Sequence, residues 1–115
     1  MKKLIAVATL VVSFSSVNAF AKTATCQVDD SGVTLYKGAC TFTPQGGGSF
    51  YISGKALNRS VGVAGIGVYI QQPNFAVVQG TKPQGGASTW GEAVRSSTQK
   101  ACWVGVQSDF KICAW

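Results

Sequence analysis

The chain of 115 residues contains no histidine and only four acidic residues, against ten lysines and arginines. Without histidine, a serine or cysteine nucleophile lacks its usual general base, and no S-x-x-K motif replaces it. No two cysteines have the C-x-x-C spacing of a zinc site. The glycine-rich stretches lack the lysine and helix of a phosphate-binding loop. These absences argue against an enzyme, a metal centre and a nucleotide cofactor.

The four acidic residues give little support to acid–base catalysis. Asp29, Asp30 and Asp109 lie at or beside expected turns, where carboxylates are usually solvated. Glu92 stands three residues before Arg95, a spacing more typical of a surface ion pair than of a catalytic device. A hydrolase that depends on Glu92 is therefore the least favoured functional hypothesis.

No apolar run is long enough to cross a membrane, which needs about 20 residues. The first 21 residues have the three parts of a secretory signal instead. Two lysines precede the apolar stretch Leu4–Val12, and an A-x-A cleavage box ends at Ala21. We therefore expect a cleaved signal peptide over 1–21 and a single domain over 22–115. The expected location is the bacterial periplasm or the medium, with no transmembrane segment after cleavage.

The four cysteines, Cys26, Cys40, Cys102 and Cys113, all follow the predicted signal. Export favours disulfides over free thiols. If 101–106 and 109–115 pair as a hairpin joined through Gln107 and Ser108, Cys102 lies opposite Cys113, at a Cβ separation that suits a disulfide. By elimination Cys26 pairs with Cys40 across the turn at 30–32, although this turn does not place the two residues directly opposite each other.

The proposed hairpin also defines a core face. Trp103, Phe110 and Ile112 fall on one side of it, while Asp109, Lys111 and the bridge fall on the other. The same register therefore satisfies both the disulfide and the core.

The remainder of the chain consists of short segments rich in Val, Ile, Thr, Tyr and Phe, bounded by Gly, Pro, Asn and Ser. Examples are Thr23–Val28, Val33–Tyr36, Ala39–Thr43, Ser49–Ser53 and Phe75–Gly80. This pattern predicts an all-β fold, a small antiparallel barrel or sandwich of about 6–8 short strands stapled by two disulfides. No stretch shows a convincing 3.6-residue apolar period. Residues 88–100 are the only candidate for a helical turn, and Gly91 disfavours it.

Two glycine-rich features leave alternatives open. The uncharged stretch 61–70, VGVAGIGVYI, is interpreted as a buried central strand, with an exposed edge that awaits a partner as the alternative. The near-repeat PQGGGS at 44–49 and PQGGAS at 83–88 is typical of loops. The alternative is that the two loops flank one binding surface.

Binding is the favoured function. The predicted domain keeps eight basic and all four acidic residues, because Lys2 and Lys3 belong to the signal, and its positive charge favours acidic partners. Trp90, Arg95, Lys111 and Trp115 are the candidate partner-binding residues, since Trp and Arg often anchor interfaces. The alternative for Trp90 is a place in the core. The same alternative applies to Trp103, which lies three residues after Lys100.

The partner is expected to be a protein or a cell-envelope polymer. Export and the dispersed charges argue against nucleic acid, and no polybasic run indicates a membrane surface.

The primary hypothesis is an extracytoplasmic, non-catalytic binding protein, either a hydrolase inhibitor or an envelope-docking module. In size and plan the chain resembles the periplasmic lysozyme inhibitors, which are small exported β proteins. It departs from the S-G-x-x-Y loop of the C-type inhibitors, because Tyr36 falls one residue too late after Ser31 and Gly32. No site residue is transferred from them. The alternatives are a basic antimicrobial or effector domain and an assembly subunit with an exposed β edge.

Overall fold

Eight antiparallel strands and one short helix make up the fold of residues 20–115, which a computed structural model describes. The elements are β1 Lys22–Asp30, β2 Val33–Gly46, β3 Ser49–Ser53, α1 Lys55–Val61, β4 Gly65–Gln72, β5 Phe75–Thr81, β6 Ala87–Arg95, β7 Cys102–Gly105 and β8 Phe110–Ala114. The predicted signal peptide, apart from its last two residues, lies outside the described part of the chain.

The strands form a closed barrel in which each strand pairs with the next and β8 pairs with β1. The predicted all-β barrel is therefore confirmed. Successive strands alternate in direction, so the connections collect at two ends. One end, called the helix end, carries α1 and the β1–β2, β5–β6 and β7–β8 connections. The other end carries the remaining connections and the start of β1.

The core fills the barrel with inward-facing residues that alternate with outward-facing ones along each strand. The largest of its fully buried side chains are Trp103, Ile52, Leu57, Ile66 and Ile112. Valines at 28, 68 and 78 fill the space between them. Because the sheet closes on itself, it encloses one continuous apolar cluster.

The C-terminal hairpin has the register that the sequence predicts. Cys102 lies opposite Cys113 and Trp103 opposite Ile112, and the Cys102–Cys113 disulfide is formed. The predicted core face is also confirmed, because Trp103, Phe110 and Ile112 belong to the core cluster. The bridge lies on the outer face but is fully buried.

The Cys26–Cys40 disulfide is also confirmed, at a Cα–Cα distance of 5.8 Å. Cys26 pairs with Gly38, and Cys40 pairs with Ala24. The two cysteines are therefore diagonal neighbours across β1 and β2, which explains why the turn does not place them directly opposite. Both belong to the core cluster, so this bridge lies inside the barrel.

The helix α1 was not predicted from the sequence. Its seven residues bury only Leu57 completely, with Val61 partly buried one turn later, so the helical period has too few turns to stand out. The one feature of the sequence that indicates the end of this helix is Gly62, which caps it in the left-handed conformation, with a φ of 85°. Two further assignments differ. Residues 33–36 and 39–43 belong to one long strand, β2, and 88–95 lie in β6 rather than in a helical turn.

The stretch 61–70 contributes the interior strand β4, which has partners on both sides. The exposed-edge interpretation of this stretch is therefore wrong. Gly65 and Gly67 face outward and are buried because the Tyr51 ring lies over Gly65 and the Tyr69 ring over Gly67. A Cβ at either glycine would overlap its tyrosine ring, so glycine here provides the space for a flat aromatic cover.

The two PQGG segments lie at opposite ends of the barrel. The first contains the β2–β3 turn, where Gly46, Gly47 and Gly48 all have positive φ. The second connects β5 to β6 at the helix end, with Gly85 and Gly86 at positive φ. The loop interpretation is confirmed for the second segment, whereas in the first only residues 47–48 lie outside the strands β2 and β3. The two loops do not flank one binding surface.

Candidate functional site

The four candidate partner-binding residues do not form one patch. Trp90 lies near the helix end, where it contacts Phe110, whereas Arg95 ends β6 at the opposite end. Lys111 points outward from β8, and Trp115 follows that strand and is about half exposed (53%). The barrel therefore separates residues that are close in sequence, and each of them has different neighbours.

Charge is distributed unevenly between the two ends of the barrel. The end opposite α1 carries three cationic side chains, Lys22, Arg95 and Lys100, and is called the basic end below. None of the four acidic residues lies there. Asp29, Asp30 and Asp109 are near the helix end, and Glu92 points outward from the middle of β6. The positive field of the domain is therefore concentrated at the basic end.

Arg95 is held at the basic end by three separate contacts. Its guanidinium lies 4.5 Å from the centroid of the Trp103 ring. Its Nε donates to Asn74 Oδ1 at 3.2 Å, and its Nη1 donates to the Lys100 carbonyl at 2.9 Å. These bonds use two of the five N–H donors of the side chain, so the guanidinium is both fixed in position and able to donate further.

Asn74 is brought to Arg95 by the β4–β5 turn. The residue has a positive φ of 64°, a conformation that asparagine tolerates better than most residues, and the Asn74 carbonyl accepts from the Arg95 backbone N–H at 3.0 Å. Backbone and side chain of the turn therefore both fix Arg95.

Lys100 is placed by the β6–β7 connection, residues 96–101. Ser96 Oγ accepts hydrogen bonds from the backbone N–H groups of Thr98 and Gln99, which curls the segment into a local turn. The Gln99 carbonyl then accepts from Cys102 N, and the Ala101 carbonyl accepts from Ala114 N. The connection is thereby attached to both strands of the C-terminal hairpin.

A pocket of about 470 Å³ opens between these elements and is lined by Asn74, Arg95, Ser96, Ser97 and Lys100. Two cations, two hydroxyls and one amide make this a hydrogen-bonding, positively charged recess. Such a lining suits a carboxylate or phosphate group, which accepts from several donors at once.

Comparisons of the chain with protein-family models, with curated proteins and with solved structures find no match. The functional assignment therefore depends on this geometry.

The rest of the basic end is aromatic. Phe42 and Phe50 stack with ring centroids 5.0 Å apart, and Lys22 Nζ lies 5.4 Å from the centroid of the Phe42 ring. Each of Lys22 and Arg95 therefore sits over an aromatic ring at the same end of the barrel. Lys22 and Asn74 were not among the predicted site residues, because their proximity to this end arises only when the strands pair.

Trp115 and Lys37 form a separate contact on the outer surface. Lys37 Nζ lies 5.9 Å from the centroid of the Trp115 ring. Trp115 is held by a reciprocal pair of backbone hydrogen bonds with Thr25, which extend the pairing of β8 with β1. Trp115 therefore remains accessible on the outer surface.

Lys111 is engaged within the chain. Its Nζ donates to Gln99 Oε1 at 3.0 Å and lies 3.6 Å from Asp29 Oδ2. The first contact supports the 96–101 connection, and the second links β8 to β1. These contacts give Lys111 a structural role in the described fold.

The environment of Asp29 predicts an acid-dependent loss of stability. Burial raises the pKa of Asp29, but hydrogen bonds from Gln27 and Thr34 and the nearby Lys111 outweigh this and hold the pKa below the usual 3.8. A carboxyl whose folded-state pKa is lowered stabilises the fold above its unfolded pKa, and this contribution is lost as the pH falls through the folded pKa. The loss should therefore occur below about pH 4, with a size of up to about 1 kcal/mol.

Urea denaturation of the wild type and of Asp29→Asn across the acid range tests this expectation. The variant should lose less stability on acidification than the wild type does. Asp109→Asn, which removes a carboxylate from an exposed loop, should follow the wild-type curve. Equal acid sensitivity of the wild type and Asp29→Asn would contradict the assignment.

Within residues 20–115, no group of three or more His, Cys, Asp or Glu side chains could hold a metal ion. All four cysteines in that range are bridged. None of the described helices is long and apolar enough to cross a membrane.

Proposed function

We propose that this protein is an exported, non-catalytic binding protein whose basic end receives an anionic group of its partner. The observation that carries the proposal is the pocket beside Arg95, where two cations and neutral donors converge in the absence of any acidic side chain at that end. The two disulfides are consistent with an oxidising compartment outside the cytoplasm.

Preorganisation supports binding at Arg95 in particular. Asn74, the Lys100 carbonyl and the Trp103 ring fix the guanidinium before any ligand arrives. A ligand that accepts from this side chain does not have to offset the cost of ordering a long, flexible group. A pocket with donors already in place therefore binds an anion more tightly than dispersed surface lysines do.

The shape of the site favours an envelope polymer over a hydrolase as the partner. The basic end presents a recess of about 470 Å³, which can admit a protruding carboxylate or phosphate. An inhibitor that blocks an enzyme cleft instead presents a protruding loop to that cleft. The envelope-docking form of the binding hypothesis is therefore preferred, with an anionic cell-envelope polymer as the partner.

The proposal is tested by binding of the purified, disulfide-bonded protein to immobilised polyglutamate and polygalacturonate, with polyethylene glycol, which is uncharged and contains no sugar, as the reference polymer. The wild type should bind the anionic polymers and not polyethylene glycol. Arg95→Gln combined with Lys100→Gln should weaken binding by about tenfold or more, because charge-assisted hydrogen bonds in a preformed site are lost. Lys100→Gln alone keeps the internal contacts of Arg95 and should give a smaller loss.

The matched control is the double variant Lys55→Gln and Arg59→Gln on α1. It removes the same charge from the helix end, where both residues are exposed. Its binding should stay within about twofold of the wild type, the size of a weak surface effect. Equal losses in the two double variants would show attraction by net charge alone and would overturn the proposal. Retention on polyethylene glycol would also overturn it.

A further inference from the structure

A second pocket lies near the helix end, beside Trp90. A β-bulge in β6 sets the position of the Trp90 side chain. In the pairing of β5 with β6, Val78 lies opposite Gly91 and Gln79 lies opposite Thr89, so Trp90 is the extra, unpaired residue. Gly91 has a φ of 111°, a conformation that side-chain-bearing residues rarely adopt. Bulges commonly redirect a side chain next to a functional site. Here the redirected side chain is a half-buried tryptophan.

The Trp90 ring is held on two sides. It meets Phe110 edge to face, with ring centroids 5.6 Å apart and an angle of 79° between the planes. It also lies against Gly80, where a Cβ would come within 3.0 Å of the indole Nε1, so glycine at this position makes room for the ring. Trp90 is therefore a rigid aromatic wall.

The pocket beside this wall has a volume of about 230 Å³ and is lined by Asp30, Ser88, Thr89, Trp90, Ser108 and Phe110. It combines two aromatic rings with three hydroxyls and one carboxylate. Backbone hydrogen bonds from Ser31 N to the Asp109 carbonyl and from Phe110 N to the Ser108 carbonyl hold the adjoining turns. The first of these bonds joins the β1–β2 turn to the β7–β8 loop, so Asp30 and Ser108 are held on the same side of the pocket.

We propose that this pocket binds one neutral sugar unit of a glycan, at a site separate from the basic end. A sugar ring presents an apolar C–H face, which can pack on the Trp90 ring, and a rim of hydroxyls, which can exchange hydrogen bonds with Ser88, Thr89 and Ser108. The Asp30 carboxylate accepts from sugar hydroxyls. Ser31 Oγ donates to one of its two oxygens at 3.3 Å, which leaves further acceptor capacity.

The size of the pocket and the charges around it restrict the class of ligand that it can bind. The pocket is smaller than the roughly 300–1,000 Å³ of sites that enclose drug-sized ligands, so it accommodates one ring of a longer chain. The Asp30 carboxylate repels an anionic sugar. A cationic ligand gains little attraction, because Lys55, Arg59 and Lys82 offset the carboxylates at the helix end.

The indole N–H signals in a ¹H–¹⁵N NMR spectrum report on this site, since the chain has three tryptophans. The probes are glucose, N-acetylglucosamine and chitobiose as neutral sugars, glucuronate as an anionic sugar and choline as a cation. At least one neutral sugar should shift the Trp90 signal in a saturable manner and leave the Trp115 signal unchanged. Glucuronate and choline should produce smaller shifts at the same concentration.

Two conservative variants test the polar rim without removing the aromatic wall. Asp30→Asn and Ser108→Ala should each weaken sugar binding by about 2–10-fold, the range expected for one hydrogen bond. Asp109→Asn, in the same loop as Ser108 but outside the pocket lining, should bind as the wild type does. Trp90→Ala should abolish the interaction, and thermal unfolding of that variant checks that the barrel remains folded.

Three results would overturn this proposal: no saturable shift of the Trp90 signal with any neutral sugar, a larger response to choline than to the sugars, or unchanged sugar affinity in both rim variants. The basic-end variant Arg95→Gln with Lys100→Gln should bind sugar as the wild type does. Failure of one site is therefore distinguishable from failure of the other.

Discussion

Replacing Trp103 by alanine is expected to lower the free energy of unfolding by about 3–5 kcal/mol, the usual cost of truncating a buried tryptophan. Trp103 is only 2% exposed and lies in the core cluster between β6 and β8. Its removal leaves a cavity that the closed barrel cannot easily fill, since strands fixed by pairing on both sides have little freedom to collapse inward.

The same substitution should also disturb the basic end. The Trp103 ring supports the Arg95 guanidinium at 4.5 Å, so alanine removes one of its three anchors. We therefore expect weaker binding of anionic polymers even under conditions in which the variant is fully folded. Trp103→Phe keeps an aromatic ring and should retain more of both properties.

Urea denaturation monitored by circular dichroism measures the stability change. Trp115→Ala is the matched control, because it removes the same side chain from a half-exposed position, and its cost should be below about 1 kcal/mol. If both variants lost the same stability, the core assignment of Trp103 would be wrong.

Replacing Cys26 and Cys40 together by alanine is expected to cost more stability than replacing Cys102 and Cys113 together. The two bridges close loops of similar length, with sequence separations of 14 and 11, so each should contribute about 3 kcal/mol by restricting the unfolded chain. The Cys26–Cys40 bridge packs in the core cluster inside the closed sheet, where its loss leaves a cavity that the paired strands cannot fill. The Cys102–Cys113 bridge is equally buried, but it lies on the outer face, outside that cluster, where the residues that cover it can settle into the space.

Denaturation of the two double variants gives both values directly. The 102–113 variant should additionally show faster amide hydrogen exchange at position 102 and at Ala114, whose N–H groups hold the 96–101 connection in the wild type. A loss below about 1 kcal/mol for either pair, or a larger cost for the 102–113 pair, would contradict this expectation.

The two ends of the barrel differ in charge. The basic end has three cations and no acid, whereas the helix end has three cations and carboxylates from β1 and the β7–β8 loop. This asymmetry is consistent with the two proposed sites: one for an anionic group and one for a neutral sugar. A glycan carrying both kinds of group could engage both ends.

Local patterns in the sequence were sufficient to predict the all-β class, the two disulfides and the C-terminal hairpin. The hairpin could be predicted because Cys102, Trp103, Ile112 and Cys113 are close in sequence and one register satisfies both the bridge and the core. The short helix α1 was missed because a seven-residue segment with one fully buried side chain has almost no periodic signal.

The candidate sites depended on distant pairing. Arg95 and Trp90 were singled out by residue type, but they are only five residues apart in the sequence, which gives no indication that they lie at opposite ends of the barrel. Asn74 reaches Arg95 only because β5 pairs with β6, and Lys22 reaches the same end only because β1 begins there.

The sequence by itself determined which residues are apolar, which cysteines can be bridged and which segments favour extended backbone, since these are properties of near neighbours. Only the tertiary structure decided that the sheet closes, that two glycines of β4 lie beneath tyrosine rings, and that three cations gather at one end. The physical reason is that strand order and register set these contacts between residues far apart in the chain.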